Sequence, residues 1–398
     1  MRRFGRLALT ALEIVLFVAL IVGTRCANAP QVFAGGEIYF VDADCYARMS
    51  RARICYEHPG TIVRRHDFEN YPRGTVPHTT ALFDYLIVAL AAALSPFSSH
   101  ALDLAGALVS PLLALAGGIF LFWWLRKMRV RFRWAALLLY AASPILAHGT
   151  ALGRPDHQAL LIVLAMIGIC AEISLARQWS RAWNVVAAVV WALALWVSFY
   201  EPVILLAVIL FFRWARRATF PGHWQRVGGI IFFALLLAAI AIERRWPSWP
   251  NAPELANWAG TIGELRHLPF DSALWWQWCS GLLLLAPLLF WKRRGPAFLL
   301  ALFVITLALT VWQVRWGYFF ALSFCLLAPA TLEILRRRIL ASVVLAAALF
   351  PVAQFWDRTL WPNENEQEQR LDAISAGQDF RACALAMRGD ERAGFVAP

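Results

Sequence analysis

Runs of about 18 or more apolar residues with almost no charge dominate this chain, and they leave few folds open to it. Wound as α-helices, runs of that length match the ~30 Å hydrocarbon core of a bilayer. A helix satisfies its own backbone polar groups in lipid, so the chain reads as an all-α polytopic membrane protein. The segments read as spanning are Leu7–Thr24, Leu102–Leu125, Trp134–His148, Ala159–Ala176, Asn184–Phe199, Val203–Phe212, Val227–Ile242, Ala273–Trp291, Ala297–Val314, Trp316–Leu335 and Ile339–Phe355. That makes about 11 crossings, of which Val203–Phe212 is short for a bilayer. The 398 residues are 60% hydrophobic and only 16% charged, which removes the soluble multidomain alternative that length alone would allow. Tryptophans gather at segment ends, as at Trp123-Trp124, Trp275-Trp276 and Trp291, where an aromatic belt is expected.

A net charge of +12 would suit a nucleic-acid binder. The distribution excludes that reading. The basic residues form short clusters between apolar runs, at Arg126–Arg133, Arg177–Arg181, Arg213–Arg226, Lys292–Arg294 and Arg336–Arg338, which is how cytoplasmic loops look. With the N-terminus inside, every cluster falls inside. One apolar stretch, Thr79–Leu94, breaks the alternation if it crosses. It carries Asp84 and lies between Pro77 and Pro96, so it reads as an interfacial helix on the outer face. All but Glu13, Glu172 and Glu333 of the 25 acids then lie outside.

The expected organisation is a membrane domain over 1–355 and an outer soluble segment beginning at 356–398. The long outer loops of the membrane domain are 25–101 and 243–272. The start, Met1-Arg2-Arg3-Phe4-Gly5-Arg6 before an apolar run, is compatible with a signal peptide cut near Ala27-Asn28-Ala29. A retained first helix fits the alternation better. The seven cysteines show no CxxC and no zinc spacing. Cys26, Cys45, Cys55 and Cys383 fall on the face where disulfides are permitted, with no pairing legible.

Three acids in separate outer loops carry the chemistry that the sequence suggests. Asp44 lies in Phe40-Val41-Asp42-Ala43-Asp44-Cys45-Tyr46-Ala47-Arg48, before a helix expected to run to about Tyr56, with Asp44 as its N-cap. Asp156 lies in Gly153-Arg154-Pro155-Asp156-His157-Gln158, directly before an apolar helix. Glu264 lies in Gly260-Thr261-Ile262-Gly263-Glu264-Leu265. Singly, each has a plain explanation as a helix cap or a hydrated loop carboxylate. Together at one mouth of a helical bundle they point to ion, proton or metal chemistry. Arg315, in Val314-Arg315-Trp316-Gly317-Tyr318, sits at the outer junction of two crossings. It is either a snorkelling cation or a partner for an anion such as phosphate.

In this order and topology, the four motifs resemble the catalytic subunit of oligosaccharyltransferase, a C-type glycosyltransferase of asparagine-linked glycosylation. Asp44-Cys45-Tyr46 is similar to the family's first-loop acidic motif. The Tyr71-Pro72-Arg73-Gly74 turn and the Leu82-Phe83-Asp84-Tyr85-Leu86 helix resemble the rest of that loop. Asp156-His157-Gln158 is similar to its second acidic motif, Thr261-Ile262-Gly263-Glu264 to its Thr-Ile-x-Glu loop, and Arg315 to its pyrophosphate-binding arginine. The resemblance implies Mg²⁺ or Mn²⁺ held by Asp44, Asp156 and Glu264 as the catalytic set. It also implies Arg315, His157 and Gln158 at the substrate, and transfer of a glycan from a polyprenyl-pyrophosphate donor to a protein or peptide asparagine. Gln158 departs from the acid or His usual there, and an amide is the poorer ligand. The family's outer C-terminal domain, with its Trp-Trp-Asp-Tyr-Gly motif, has no counterpart; the chain ends at Pro398 where such a domain would begin, so a fragment or a loss of sequon reading is expected. The alternatives are a polyprenyl-phosphate sugar transferase acting on lipid or cell-wall glycan, a lipid-linked glycan transporter, and a non-catalytic remnant. The expected location is a bacterial inner membrane with the site on the periplasmic face.

Overall fold

The computed structural model describes residues 2–67, 72–77, 79–215, 222–246, 263–292 and 294–387. Helix α1 (Arg2–Arg25) leads through a short α2 (Ala29–Val32) into a small antiparallel hairpin, β1 (Phe33–Ala34) and β2 (Glu37–Ile38). Gly35 and Gly36 turn it, both at positive φ (59° and 79°), as a tight hairpin turn requires. Next come α3 (Ala43–Glu57), α4 (Ala81–Leu94), α5 (Ala101–Lys127), α6 (Arg133–Ala142), α7 (Pro144–His148), α8 (His157–Arg177), α9 (Arg181–Val197), α10 (Tyr200–Ala215) and α11 (Gly222–Glu243). The remaining helices are α12 (Leu274–Cys279), α13 (Ala286–Trp291), α14 (Ala297–Trp312), α15 (Gly317–Glu333), α16 (Arg338–Ala348), α17 (Phe350–Leu360) and α18 (Glu364–Met387).

The protein is an integral membrane protein, but the expected count of about 11 crossings is not confirmed. Among the described residues, 5 helices are long and apolar enough to cross, or 6 if the pair α16 and α17, bent by 41°, is one span. Several runs that hydropathy joins are broken in the structure. Trp134–His148 divides at Ser143 into α6 and α7. Ala273–Trp291 divides at Ser280, whose φ of 62° no helix tolerates, into α12, a 3₁₀ turn over Gly281–Leu285, and α13. Apolarity survives such a break, so a hydropathy reading passes over it.

Helices α8 and α15 form the centre, each 83% buried over its span. Described residues of four of the basic clusters meet at one end of the bundle. There Arg133 pairs with Glu13, Arg177 donates to the Met128 carbonyl, Arg213 pairs with Glu172, and Arg131 donates to the Arg336 carbonyl. The acidic motifs lie at the other end, as the charge alternation predicts.

Helix α4, the interfacial candidate, is 14 residues long, about 21 Å at 1.5 Å per residue, shorter than the long apolar spans. It packs on α3 and the first half of α5 through Met49, Ala52, Phe83, Ile87, Leu102 and Ala105. Asp84 is buried and paired with Arg48 at 2.8 Å and Arg51 at 3.8 Å. Glu243, at the end of α11, accepts from the Ala81 N–H at 3.0 Å and from Trp196 Nε1 at 3.1 Å. The first loop is thus tied to the bundle by charges that pair inside it. Helix α18 lies mostly exposed and meets the hairpin at Arg381–Glu37, 2.6 Å apart. All seven cysteines are free thiols.

The α6–α7 break has a specific partner. Pro144 has no N–H, so the Tyr140 carbonyl four residues before it loses its helical donor. Arg25, fully buried at the end of α1, donates to that carbonyl at 2.7 Å, to the Ala141 carbonyl, and to Thr150 Oγ1 at 3.2 Å. Trp356 Nε1 takes the Ala142 carbonyl at 2.7 Å. Arg25→Ala leaves the Tyr140 carbonyl without this donor, while the Ala141 carbonyl keeps Thr24 Oγ1 at 2.8 Å, and should destabilise the protein by about 1–3 kcal/mol. Thermal unfolding in detergent measures this; an unchanged midpoint would show that the break is satisfied some other way.

Candidate active site

The site is assembled from the loop before α3, the turn before α8, the 3₁₀ turn Gly263–Leu265 and the start of α15. Asp42, not Asp44, is the N-cap of α3: its carboxylate accepts from the Cys45 N–H at 2.9 Å. Asp44 follows in the first turn of α3, exposed to solvent. Asp156 occupies the N-cap position of α8 in extended backbone, placing its carboxylate beside the helix's positive end. His157 Nδ1 lies 2.5 Å from Asp156 Oδ1 and 3.4 Å from Arg48 Nη2. His157 therefore connects the buried Arg48–Asp84 pair of the first loop to the second motif. Gln158 is buried, and among the described residues its Oε1 has no hydrogen-bond partner.

Arg154 sits among the acids. Its Nη2 is 2.8 Å from Glu264 Oε1 and 3.7 Å from Asp156 Oδ2, and its Nη1 is 3.3 Å from Asp42 Oδ2. Nη1 also donates to His148 Nε2 at 3.0 Å. That bond leaves the His148 proton on Nδ1, facing the Tyr318 hydroxyl at 3.0 Å. Tyr318 in turn donates to Glu264 Oε1 at 3.4 Å. Arg154, His148, Tyr318 and Glu264 close a ring in which every link has a donor and an acceptor.

The two motif acids differ in character. Burial opposes ionisation of Asp156, but its pairing with His157 and the charges of Arg154 and Arg48 overcome this and hold it well below the usual carboxylate range. Burial raises the Glu264 pKa, and the Asp156 charge adds to the rise, with Arg315, Arg154 and His157 opposing. Arg315 pairs with the fully buried Glu201, Nη2 to Oε1, at 2.5 Å, and lies over the Tyr200 ring. Ser198 Oγ holds the other Glu201 oxygen at 2.9 Å.

Of the expected residues, the structure brings Asp156, His157 and Glu264 into one electrostatic cluster, with Arg315 beside it. Thr261 and Ile262 of the Thr-Ile-x-Glu string, and Tyr71 of the first-loop turn, lie outside the described residues. Asp42, His148, Arg154, Glu201 and Tyr318 were not singled out from sequence. Arg154 and Asp42 each lie two residues from a predicted acid, which was the only signal for them. As arranged, the donors do not fit a divalent ion. Such an ion needs several oxygens or nitrogens aimed at one point. Among the described residues no group of three or more His, Cys, Asp or Glu offers that, and a guanidinium stands among the acids.

No family model and no curated protein matches the chain, but solved structures match it. The Archaeoglobus fulgidus oligosaccharyltransferase in complex with zinc and sulfate superposes with a TM-score of 0.67, covering 96% of this chain and 56% of that one at 16% identity. The fold is that of an oligosaccharyltransferase. The archaeal oligosaccharyltransferase AglB from Archaeoglobus fulgidus, in complex with an inhibitory peptide and a dolichol-phosphate, gives 0.68 at 15% identity, over 95% of this chain and 58% of that chain. The same organism's enzyme, tethered to an acceptor peptide with an NVT sequon, gives 0.64 at 15% identity, over 96% and 57%. This chain thus spans less than three fifths of the oligosaccharyltransferases it resembles, between 56% and 58% of their length.

Proposed function

We propose that the protein is a membrane glycosyltransferase that moves a glycan from a polyprenyl-pyrophosphate donor to a protein asparagine. The observation that carries this reading is spatial. Motifs from separate loops, Asp156-His157 and Glu264, converge at one end of a bundle with an oligosaccharyltransferase fold, with Arg315 beside them. The neighbours with bound dolichol-phosphate and acceptor peptide support a lipid-linked donor and a peptide acceptor. In the reaction, the bond from the anomeric carbon to the pyrophosphate oxygen breaks and a carbon–nitrogen bond forms. The amide gives up one proton to solvent or to the departing phosphate, and polyprenyl pyrophosphate leaves.

The chain's own residues supply orientation and charge. An amide is a weak nucleophile, so aligning its N–H groups with fixed carboxylates is worth much of the barrier. Asp156, held ionised by its cationic neighbours, and Glu264, in the Arg154–Tyr318 ring, are the acceptors for those N–H groups. Asp44, on the exposed first turn of α3, is the third carboxylate of the set. Arg315 offsets the charge of the departing pyrophosphate, with His157 and Gln158 shaping the donor side. The site faces the periplasm of a bacterial inner membrane, opposite the basic loops.

The test is transfer from a labelled lipid-linked donor in membranes, with an asparagine peptide or a lipid as the offered acceptor. Peptide labelling is expected, and Asp44→Ala and Glu264→Ala should each lower it by about 100-fold or more. Labelling of the lipid alone would replace the acceptor in this reading. Full activity in both variants would remove these carboxylates from the reaction.

A further inference from the structure

The group at the centre of the acids is a side chain that no motif assigned. The Arg154 side chain is only 6% exposed, and its head lies within ion-pair distance of Asp42, Asp156 and Glu264, one carboxylate from each of three separate loops. Its backbone is held as firmly. The Arg154 carbonyl accepts from Ser110 Oγ, the Gly153 N–H donates to the Ala107 carbonyl at 3.0 Å, and the Gly153 carbonyl accepts from the Val41 N–H at 3.0 Å. Gly153 itself is in the left-handed region at φ 70°, where a Cβ would lie 2.6 Å from Val32. Pro155 fixes the next residue. A guanidinium on so constrained a turn is built into the site; it is not a surface side chain folded over it.

The arrangement solves the problem that a divalent ion solves elsewhere. Carboxylates from three loops repel one another unless a cation lies between them. A planar guanidinium has five donors and can serve several carboxylates at once. It does so here while also fixing the His148 tautomer. A divalent ion at the same place would meet a resident positive charge and donor hydrogens where it needs lone pairs.

We infer that Arg154 is the structural cation of this site, gathering Asp42, Asp156 and Glu264 in place of a divalent metal. The inference rests on the transferase reading only for its catalytic consequence, that transfer persists without added metal. Gathering of the carboxylates stands on geometry alone.

Mn²⁺ binding to the purified full chain, read by electron paramagnetic resonance and by thermal shift before and after chelation, tests it. The wild-type protein should bind no stoichiometric Mn²⁺, and its unfolding midpoint should not move with chelator. Arg154→Gln removes the charge and keeps the side chain's polarity. It should gain about one equivalent of Mn²⁺ at the vacated carboxylates, and adding Glu264→Gln should abolish the gain. Arg154→Lys should keep the wild-type behaviour. One Mn²⁺ bound by the wild type and lost in Asp156→Asn would overturn the inference, whether or not the Arg154 variants fold. If no variant or wild type transfers glycan, the transferase reading fails while the Mn²⁺ result still decides the role of Arg154. If the wild type transfers only with metal bound, the reverse holds.

Discussion

Exchanging Asp156 for Asn should cut glycan transfer by about 10²–10³-fold, the scale seen when one preorganised electrostatic contact is removed from an active site. The change keeps shape and size but replaces a fixed anion with an amide. Asp156 is the carboxylate held from two sides: His157 Nδ1 lies 2.5 Å from Oδ1, and the Arg154 guanidinium lies 3.7 Å from Oδ2. An amide NH₂ facing Arg154 would put donor against donor, and its oxygen alone cannot hold both neighbours. The loss should fall mainly on turnover if, as proposed, Arg315 rather than Asp156 takes the donor's phosphates. Initial rates over a donor titration in membranes would show this. Asp156→Asn with near-normal turnover would mean that Glu264 and Asp44 suffice to orient the acceptor.

The second large effect is expected at Arg315. Its partner Glu201 has no exposed surface, while the Arg315 side chain keeps 22% of its own. Arg315→Ala would leave a buried carboxylate uncompensated, which typically costs about 3–5 kcal/mol. That loss alone would mimic a catalytic defect by unfolding the protein. The double variant Glu201→Gln with Arg315→Met separates the two roles. Removing both charges should restore most of the stability, since a buried pair is often worth little net. Donor affinity should stay low, because nothing then faces the pyrophosphate. Thermal unfolding reads the first quantity and donor titration the second. A double variant that regains transfer would make Arg315 only a partner of Glu201.

What the sequence disclosed and what it withheld divide along physical lines. Charge between apolar runs placed the basic loops at one end and the acidic motifs at the other, because that pattern reflects a constraint along the whole chain. It also marked α4 as a helix apart from the long apolar spans, though not that Asp84 is there to pair with Arg48 and Arg51. The span count is not confirmed, and it is least secure where helices break. Ser143-Pro144 carried a legible proline signal, whereas the positive φ of Ser280 left no trace in composition. The centre of the site was hidden for another reason. Arg154 meets Glu264 across 110 residues, and no local pattern records a contact made only after three loops fold together. Its residue type was visible beside Asp156, and its role was not.

The bond from Arg25 to the Tyr140 carbonyl has a bearing on how the protein is made. The two residues are 115 positions apart. At about 5–20 residues per second of synthesis, α1 waits roughly 6–23 s before the chain that will receive its guanidinium exists. During that interval the arginine has to stay at the water edge of the bilayer. Its carbonyl partners at Tyr140 and Ala141 exist only once the broken α6–α7 segment has been made, so full burial of the first helix's end has to follow synthesis of that segment.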